Sequence, residues 1–217
     1  MATANGEGSK KLRIIKVQIP KKNFVKRRFS ILLVISLILV YIAVQTTYFA
    51  SKYIAKHFQS PPIVRDLIWE KLPYLPILWL SEILMILSII YMVVWAVQHD
   101  LFSLPYAIIL YSVFHLLRAG LIILTPLGFP YTYTGIFQTG KDSVFLYGAF
   151  PSGHLSLPYL TFMITKNKIA LILTILVALT LLVSRGHYSI DLIGTLLLTY
   201  PLFKFSEKYL KKYFTQE

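Results

Sequence analysis

The sequence predicts an all-α integral membrane protein, on three observations. Hydrophobic residues make up 56% of the 217, and charged residues only 14%, where a soluble domain typically has about 25% charged residues. Mean hydropathy is +0.65. Long uncharged runs recur along the chain, beginning with residues 29–51, a run long enough to cross a bilayer as a helix. Together they exclude a soluble globular enzyme and a disordered chain. The net charge of +13, from 22 Lys and Arg against 9 Asp and Glu, fits membrane topology and attraction to anionic lipid. It does not point to nucleic acid, because a basic aqueous face needs a polar scaffold beneath it. No cysteine is present, so neither a disulfide framework nor thiolate chemistry is available.

The elements follow in order. Residues 1–28 form a basic tail that ends in Lys26, Arg27 and Arg28. The 29–51 run exceeds the apolar region of a signal peptide and lacks its small-residue cleavage site, so it reads as a retained transmembrane helix. Residues 72–97 hold a second span, interrupted only by Glu82. Pro73 and Pro76 place the start of its regular helix near Pro76, and Glu82 in the first two turns, as an interfacial residue. Residues 101–124 hold a third, with Arg118 inside it. A fourth, 152–165, is short: at ~1.5 Å per residue it covers about 20 Å of a ~30 Å hydrocarbon core. Residues 169–184 and 187–203 supply the fifth and sixth, the last containing Asp191.

This makes a bundle of six transmembrane helices over residues 29–206, with tails at 1–28 and 207–217 and both termini cytoplasmic. The positive-inside rule sets that orientation, gathering the first tail, Lys166, Lys168, Lys204, Lys208, Lys211 and Lys212 on one side. The connections 52–71 and 125–151 then lie outside. In the first, IVRDLIWEKL after Pro61-Pro62 is expected as a short amphipathic helix at the interface. The second is rich in Gly, Pro and aromatic residues, suited to interfacial anchoring or to the rim of a lipid-facing site.

Charge inside a membrane segment is expensive and marks function. Here Arg118, His154, the Arg185–His187 pair and Asp191 all fall at the outer ends of predicted helices. Pro151-Ser152-Gly153-His154 opens the fourth. Proline sets a boundary, Ser152 can cap the new helix, and Gly153 lets a ligand approach the backbone. The free N–H groups there make an anion site, beside which His154 can donate a proton to a leaving oxygen. In Ser184-Arg185-Gly186-His187-Tyr188-Ser189-Ile190-Asp191, His187 and Asp191 stand four apart and share a helical face. Asp191 can accept the Nδ1–H of His187, leaving Nε2 as a nucleophile. Arg185 offers a fork matched to phosphate oxygens. Arg118 either clamps a further oxygen or snorkels to the interface. His115 is expected packed or hydrogen-bonded, and His57 and His99 on the surface. No carboxylate cluster accompanies the histidines, so neither metal nor cofactor is implied.

The motifs at 151–154 and 187–191 resemble the type 2 phosphatidic acid phosphatase superfamily, six-helix membrane enzymes with a metal-free His-His-Asp site. The compact SRGHYSID is closest to the sphingomyelin synthase and inositol phosphorylceramide synthase branch, as is Arg118 followed by Thr125-Pro126. Phe150-Pro151 is instead typical of the ordinary phosphatases. Their Lys and Arg-Pro signature is absent: Tyr111 stands where the Lys would be, and Ala119 follows Arg118. The resemblance covers roughly residues 111–203. It implies His187 as nucleophile, Asp191 as its partner and His154 as acid, with Arg118, Arg185, Ser152 and Gly153 holding phosphate. The expected partners are a phospholipid donor and a water or lipid-alcohol acceptor, in the membrane and with the site on the extracytoplasmic side. Transfer to a lipid alcohol, hydrolysis by water, and transport of a phosphate head group without cleavage remain open alternatives.

Overall fold

A computed structural model describes residues 22–58, 62–128 and 150–215, with side chains from residue 25 onward. The first 21 residues of the expected basic tail, the final two of the second, and most of the 125–151 connection, Lys141 included, lie outside the described residues. Six α-helices are described: α1 Lys22–His57, α2 Leu78–Gln98, α3 Ser103–Leu124, α4 Gly153–Thr165, α5 Lys168–Val183 and α6 Ser189–Tyr209.

The burial pattern of α1 is that of a helix in lipid. Its buried face carries small or polar residues, Ser36, Ala43, Thr47, Ala50 and Ser51, while Ile35, Leu37, Ile38, Ile42 and Phe49 face outward. Water would penalise this arrangement, whereas lipid tails accept the large apolar side chains and leave small ones to bring backbones together. α1 lies along α3, where Ala50 and Ile54 pack on Ala119 and Ile122. α4 sits innermost, touching α2, α3, α5 and α6.

The expected bundle of six transmembrane helices is not what the chain forms. Three helices, α1, α2 and α3, are long and apolar enough to cross a membrane. α4 has 13 residues and α5 has 16, about 20 and 24 Å at 1.5 Å per residue, against a core of ~30 Å. α4 ends where Lys166 takes a left-handed φ of 53° and Asn167 caps α5 by accepting from the Ile169 N–H at 2.8 Å. α6 has the length, at 21 residues, but includes Asp191, Lys204, Glu207 and Lys208. The run at 152–165 supplies protein core, with Leu155, Leu160 and Met163 buried, whereas 169–184 buries one face through Val177 and Leu181 and exposes Ile169, Ile172, Ile175 and Leu179. Hydropathy alone cannot distinguish that role from facing lipid. The parity argument that put both termini in the cytoplasm falls with the six spans. The three long apolar helices nevertheless give the chain the build of a membrane-embedded protein.

Two ends of the molecule differ sharply. At one, Arg28 donates to the Tyr213 carbonyl at 2.8 Å, Phe29 packs on Phe102, and Tyr106 meets Phe214 and bonds Ser206 at 2.7 Å. The start of α1, the start of α3 and the end of α6 therefore converge there, together with Lys204, Lys208, Lys211 and Lys212. At the other end lie the last turns of α3 and the first turns of α4 and α6. The segment 62–72 is held against this second end. It carries no α-helix, only a turn at 67–68 that runs into a 3₁₀ turn at Trp69–Lys71, so the amphipathic helix expected there does not form. Asp66 is the reason: its Oδ1 accepts from the Ile68 and Trp69 N–H groups, and its Oδ2 from the Ser189 N–H at 2.6 Å. That last bond caps a donor of α6, a competing use of the side chain that pins the segment in place. Arg65 pairs with Glu70 on the exposed side, and that hydrogen bond holds the Glu70 carboxyl below its ordinary range.

Candidate active site

The site assembles from three helix ends. Arg118, late in α3, is 8% exposed, and its Nε donates to the Pro151 carbonyl at 2.7 Å. That bond draws the residue preceding the α4 cap onto α3. Ser152 is fully buried and its Oγ accepts from the Leu155 N–H at 3.4 Å. Its backbone N–H donates to the Asp191 carbonyl at 3.2 Å, and its carbonyl accepts from Thr195 Oγ1 at 3.0 Å. The start of α4 is thus stitched to the first two turns of α6. Gly153, the first residue of α4, lies so close to α3 that an added Cβ would stand 3.1 Å from His115 Cε1 and 3.6 Å from Arg118 Nε. A Cβ here would need the His115 ring to give by a few tenths of an ångström.

His187 and Asp191 form a buried pair, 2% and 0% exposed, with Nδ1 and Oδ2 3.1 Å apart. The spacing of four brings them together as expected, but not on one helix. α6 begins at Ser189, so His187 precedes it and Asp191 is its third residue. Asp191 Oδ2 also accepts from the Tyr188 N–H at 2.9 Å, a free donor of the helix start. The positive end of the helix dipole supports the carboxylate there. Oδ1 has no hydrogen-bond partner among the described residues. The rings of His154 and His187 lie 5.6 Å apart, edge to face, and Arg118 is within coulombic reach of Asp191.

Arg185 takes a left-handed φ of 53°. Its N–H bonds the Leu182 carbonyl and that of Gly186 bonds Leu181, at 3.1 and 3.0 Å. This is the α5 C-terminal turn whose left-handed position glycine usually fills. A non-glycine there is strained, and here the turn swings His187 from the end of α5 to the start of α6. The guanidinium lies over Tyr74, 5.5 Å from the ring centre. Arg185 therefore stands at the rim, while Arg118, Ser152, Gly153, His154, His187 and Asp191 converge. A Cβ on Gly186 would meet the end of the Leu78 side chain, which would have to shift to admit it.

Several residues were not singled out in the sequence. Asp66 and Trp69 hold the rim: Tyr188 stacks on Trp69 with ring centres 4.7 Å apart, and its hydroxyl donates to the Gly128 carbonyl at 2.9 Å. Burial holds that phenol above the ordinary tyrosine range, which keeps it a protonated donor. The one signal in the sequence was a carboxylate placed two residues before Ile68 and three before Trp69, the spacing at which an Asp side chain can accept from backbone N–H groups. Glu82, expected at the interface, is fully buried in the second turn of α2. His57 and His99 are exposed as expected. Among the described residues no three His, Asp or Glu side chains cluster as metal ligands would. No protein-family model matches the chain, and no curated protein is found similar to it in sequence.

Proposed function

We propose that the chain is a membrane enzyme moving a phosphoryl or phospho-head-group unit from a phospholipid through His187. It would belong to the type 2 phosphatidic acid phosphatase superfamily, nearest in motif to the sphingomyelin synthase branch. The observation that carries the reading is the buried His187–Asp191 pair with His154 across from it, beside an arginine-backed helix start. In this reading Nε2 of His187 forms a bond to phosphorus while the phosphorus–oxygen bond to the leaving group breaks. His154 delivers a proton to that oxygen. It then takes a proton from the acceptor, water or a lipid hydroxyl, whose oxygen displaces His187. Asp191 stabilises the positive charge on His187 throughout. Arg118, Arg185 and the N–H groups that open α4 neutralise the phosphate oxygens, the main requirement of phosphoryl transfer.

The site faces the extracytoplasmic side in this proposal. Support comes from the basic residues collected at the opposite end, Arg28, Lys204, Lys208, Lys211 and Lys212, which the positive-inside rule assigns to the cytoplasm. Transfer to a lipid alcohol is favoured over hydrolysis by the burial of His187 and Asp191, where water is scarce. The test offers purified protein a panel of phospholipids, with labelled ceramide or diacylglycerol as acceptor. Label in a new phospholipid supports transfer. Only water-soluble phosphate or head group, at every acceptor concentration, means a phosphatase. Head-group binding without any product means a carrier and overturns the enzyme reading.

A further inference from the structure

The polar residues at the start of α4 include one that the proposed chemistry does not use. His115 lies on α3 one turn before Arg118 and is 8% exposed. Neither ring nitrogen has a hydrogen-bond partner among the described residues. The ring is firmly held all the same: Tyr111 packs on it with centres 4.3 Å apart, Phe114 meets it edge-on at 5.6 Å, and Thr47 of α1 donates to its carbonyl at 3.4 Å. Its Cε1–Nε2 edge faces Gly153, whose Cβ position would lie 3.1 and 3.6 Å from those atoms. The imidazole is therefore aimed at the first residue of α4, where helix N–H groups lack partners within the helix. It also lies within coulombic reach of Arg118 and His154.

A buried polar group without a partner is rare and calls for an explanation. An imidazole serving only to fill space would be replaced at no loss by an apolar ring, since its nitrogens gain nothing there. An imidazole that donates to a ligand would look like this one: clamped between aromatic rings, its edge turned to an anion-binding helix start, its partner supplied on binding. We infer that His115 is a further phosphate-binding residue, its Nε2–H donating to a non-bridging oxygen of a phosphate seated on the start of α4 between Arg118 and His154. This inference rests on the phosphate-transfer reading above and adds to it a residue outside the quoted motifs. Gly153 then has a second role: the absence of its side chain leaves the His115 edge open to the ligand.

Inorganic vanadate, which mimics transferring phosphorus, is the probe, with the full chain in detergent and binding read by calorimetry. His115→Phe keeps the ring volume and removes both nitrogens. His115→Gln places an amide near Nε2. Losing a hydrogen bond to a charged oxygen should weaken vanadate roughly ten- to hundredfold in His115→Phe. His115→Gln should recover most of that loss, and the thermal midpoints of both variants should stay close to the parent. Vanadate bound by His115→Phe as tightly as by the parent, with Arg118→Ala abolishing it, would overturn the inference and leave the phosphate site standing. Equal weakening in both variants, accompanied by lowered thermal midpoints, would assign His115 to packing and also overturn it. No binding by the parent protein would remove the phosphate-site reading and this inference with it.

Discussion

Replacing Asp191 with asparagine isolates the charge of the buried pair from its geometry. The carboxylate Oδ2 accepts from two donors, the Tyr188 N–H at 2.9 Å and His187 Nδ1 at 3.1 Å. An amide NH₂ placed there would oppose the Tyr188 N–H, so the asparagine oxygen must take that position. The NH₂ then falls where Oδ1 has no partner among the described residues. His187 keeps an acceptor for Nδ1–H, and Nε2 keeps its lone pair. The tautomer error that costs ~10⁴-fold when the same substitution is made in a serine-protease triad is therefore avoided. What is lost is the attraction between the carboxylate and the imidazolium that forms during attack. With charge centres ~4 Å apart and an effective dielectric of ~20, that attraction is worth ~4 kcal/mol. It corresponds to a rate loss of ~10³-fold. Stability should change little, because weaker hydrogen bonds are offset by burial of a neutral group in place of a charge. The assay is single-turnover release or transfer of head group from a labelled phospholipid, with folding checked by thermal midpoint and gel filtration. A rate within tenfold of the parent in folded protein would refute the reasoning, leaving Asp191 as a helix cap alone.

Three further outcomes are expected. His187→Ala should abolish turnover, and His154→Ala should slow it strongly for a donor with a poor leaving group and less for an activated one; a chromogenic phosphate ester set against a natural phospholipid separates the two. Arg118→Lys should weaken vanadate or substrate binding about tenfold or more, because a point charge cannot bond the Pro151 carbonyl and still offer a fork to phosphate; titration against both ligands checks it. Asp66→Ala should free the Ser189, Ile68 and Trp69 N–H groups together and cost about 1–3 kcal/mol. It would be seen as a lower thermal midpoint and faster proteolysis within residues 62–72, with the His187–Asp191 pair retained.

Local spacing and composition made part of this protein legible from the chain alone. A 56% hydrophobic sequence with only 14% charged residues and long uncharged runs points to apolar helices of membrane-embedded build, and Pro, Ser and Gly at 151–153 write the start of α4 into adjacent residues. The four-residue step from His187 to Asp191 sufficed to foresee their contact, though the partner reaches back from the first turn of α6 and does not share a helix with the histidine. Tertiary structure decided the rest. Whether an apolar helix is a full span or a shorter packed element depends on where it ends and on its neighbours, so α4 and α5 read as spans although both are too short and α4 is mostly core. Asp66 and Glu82 look like surface charges in isolation, and only long-range packing brings Asp66 to the Ser189 N–H, 123 residues away. Arg118 bonds the Pro151 carbonyl and the Ser152 N–H bonds that of Asp191, and backbone carbonyls carry no residue identity and so leave no trace in a sequence. The same holds for His115, whose ring edge lies against Gly153 at the start of α4.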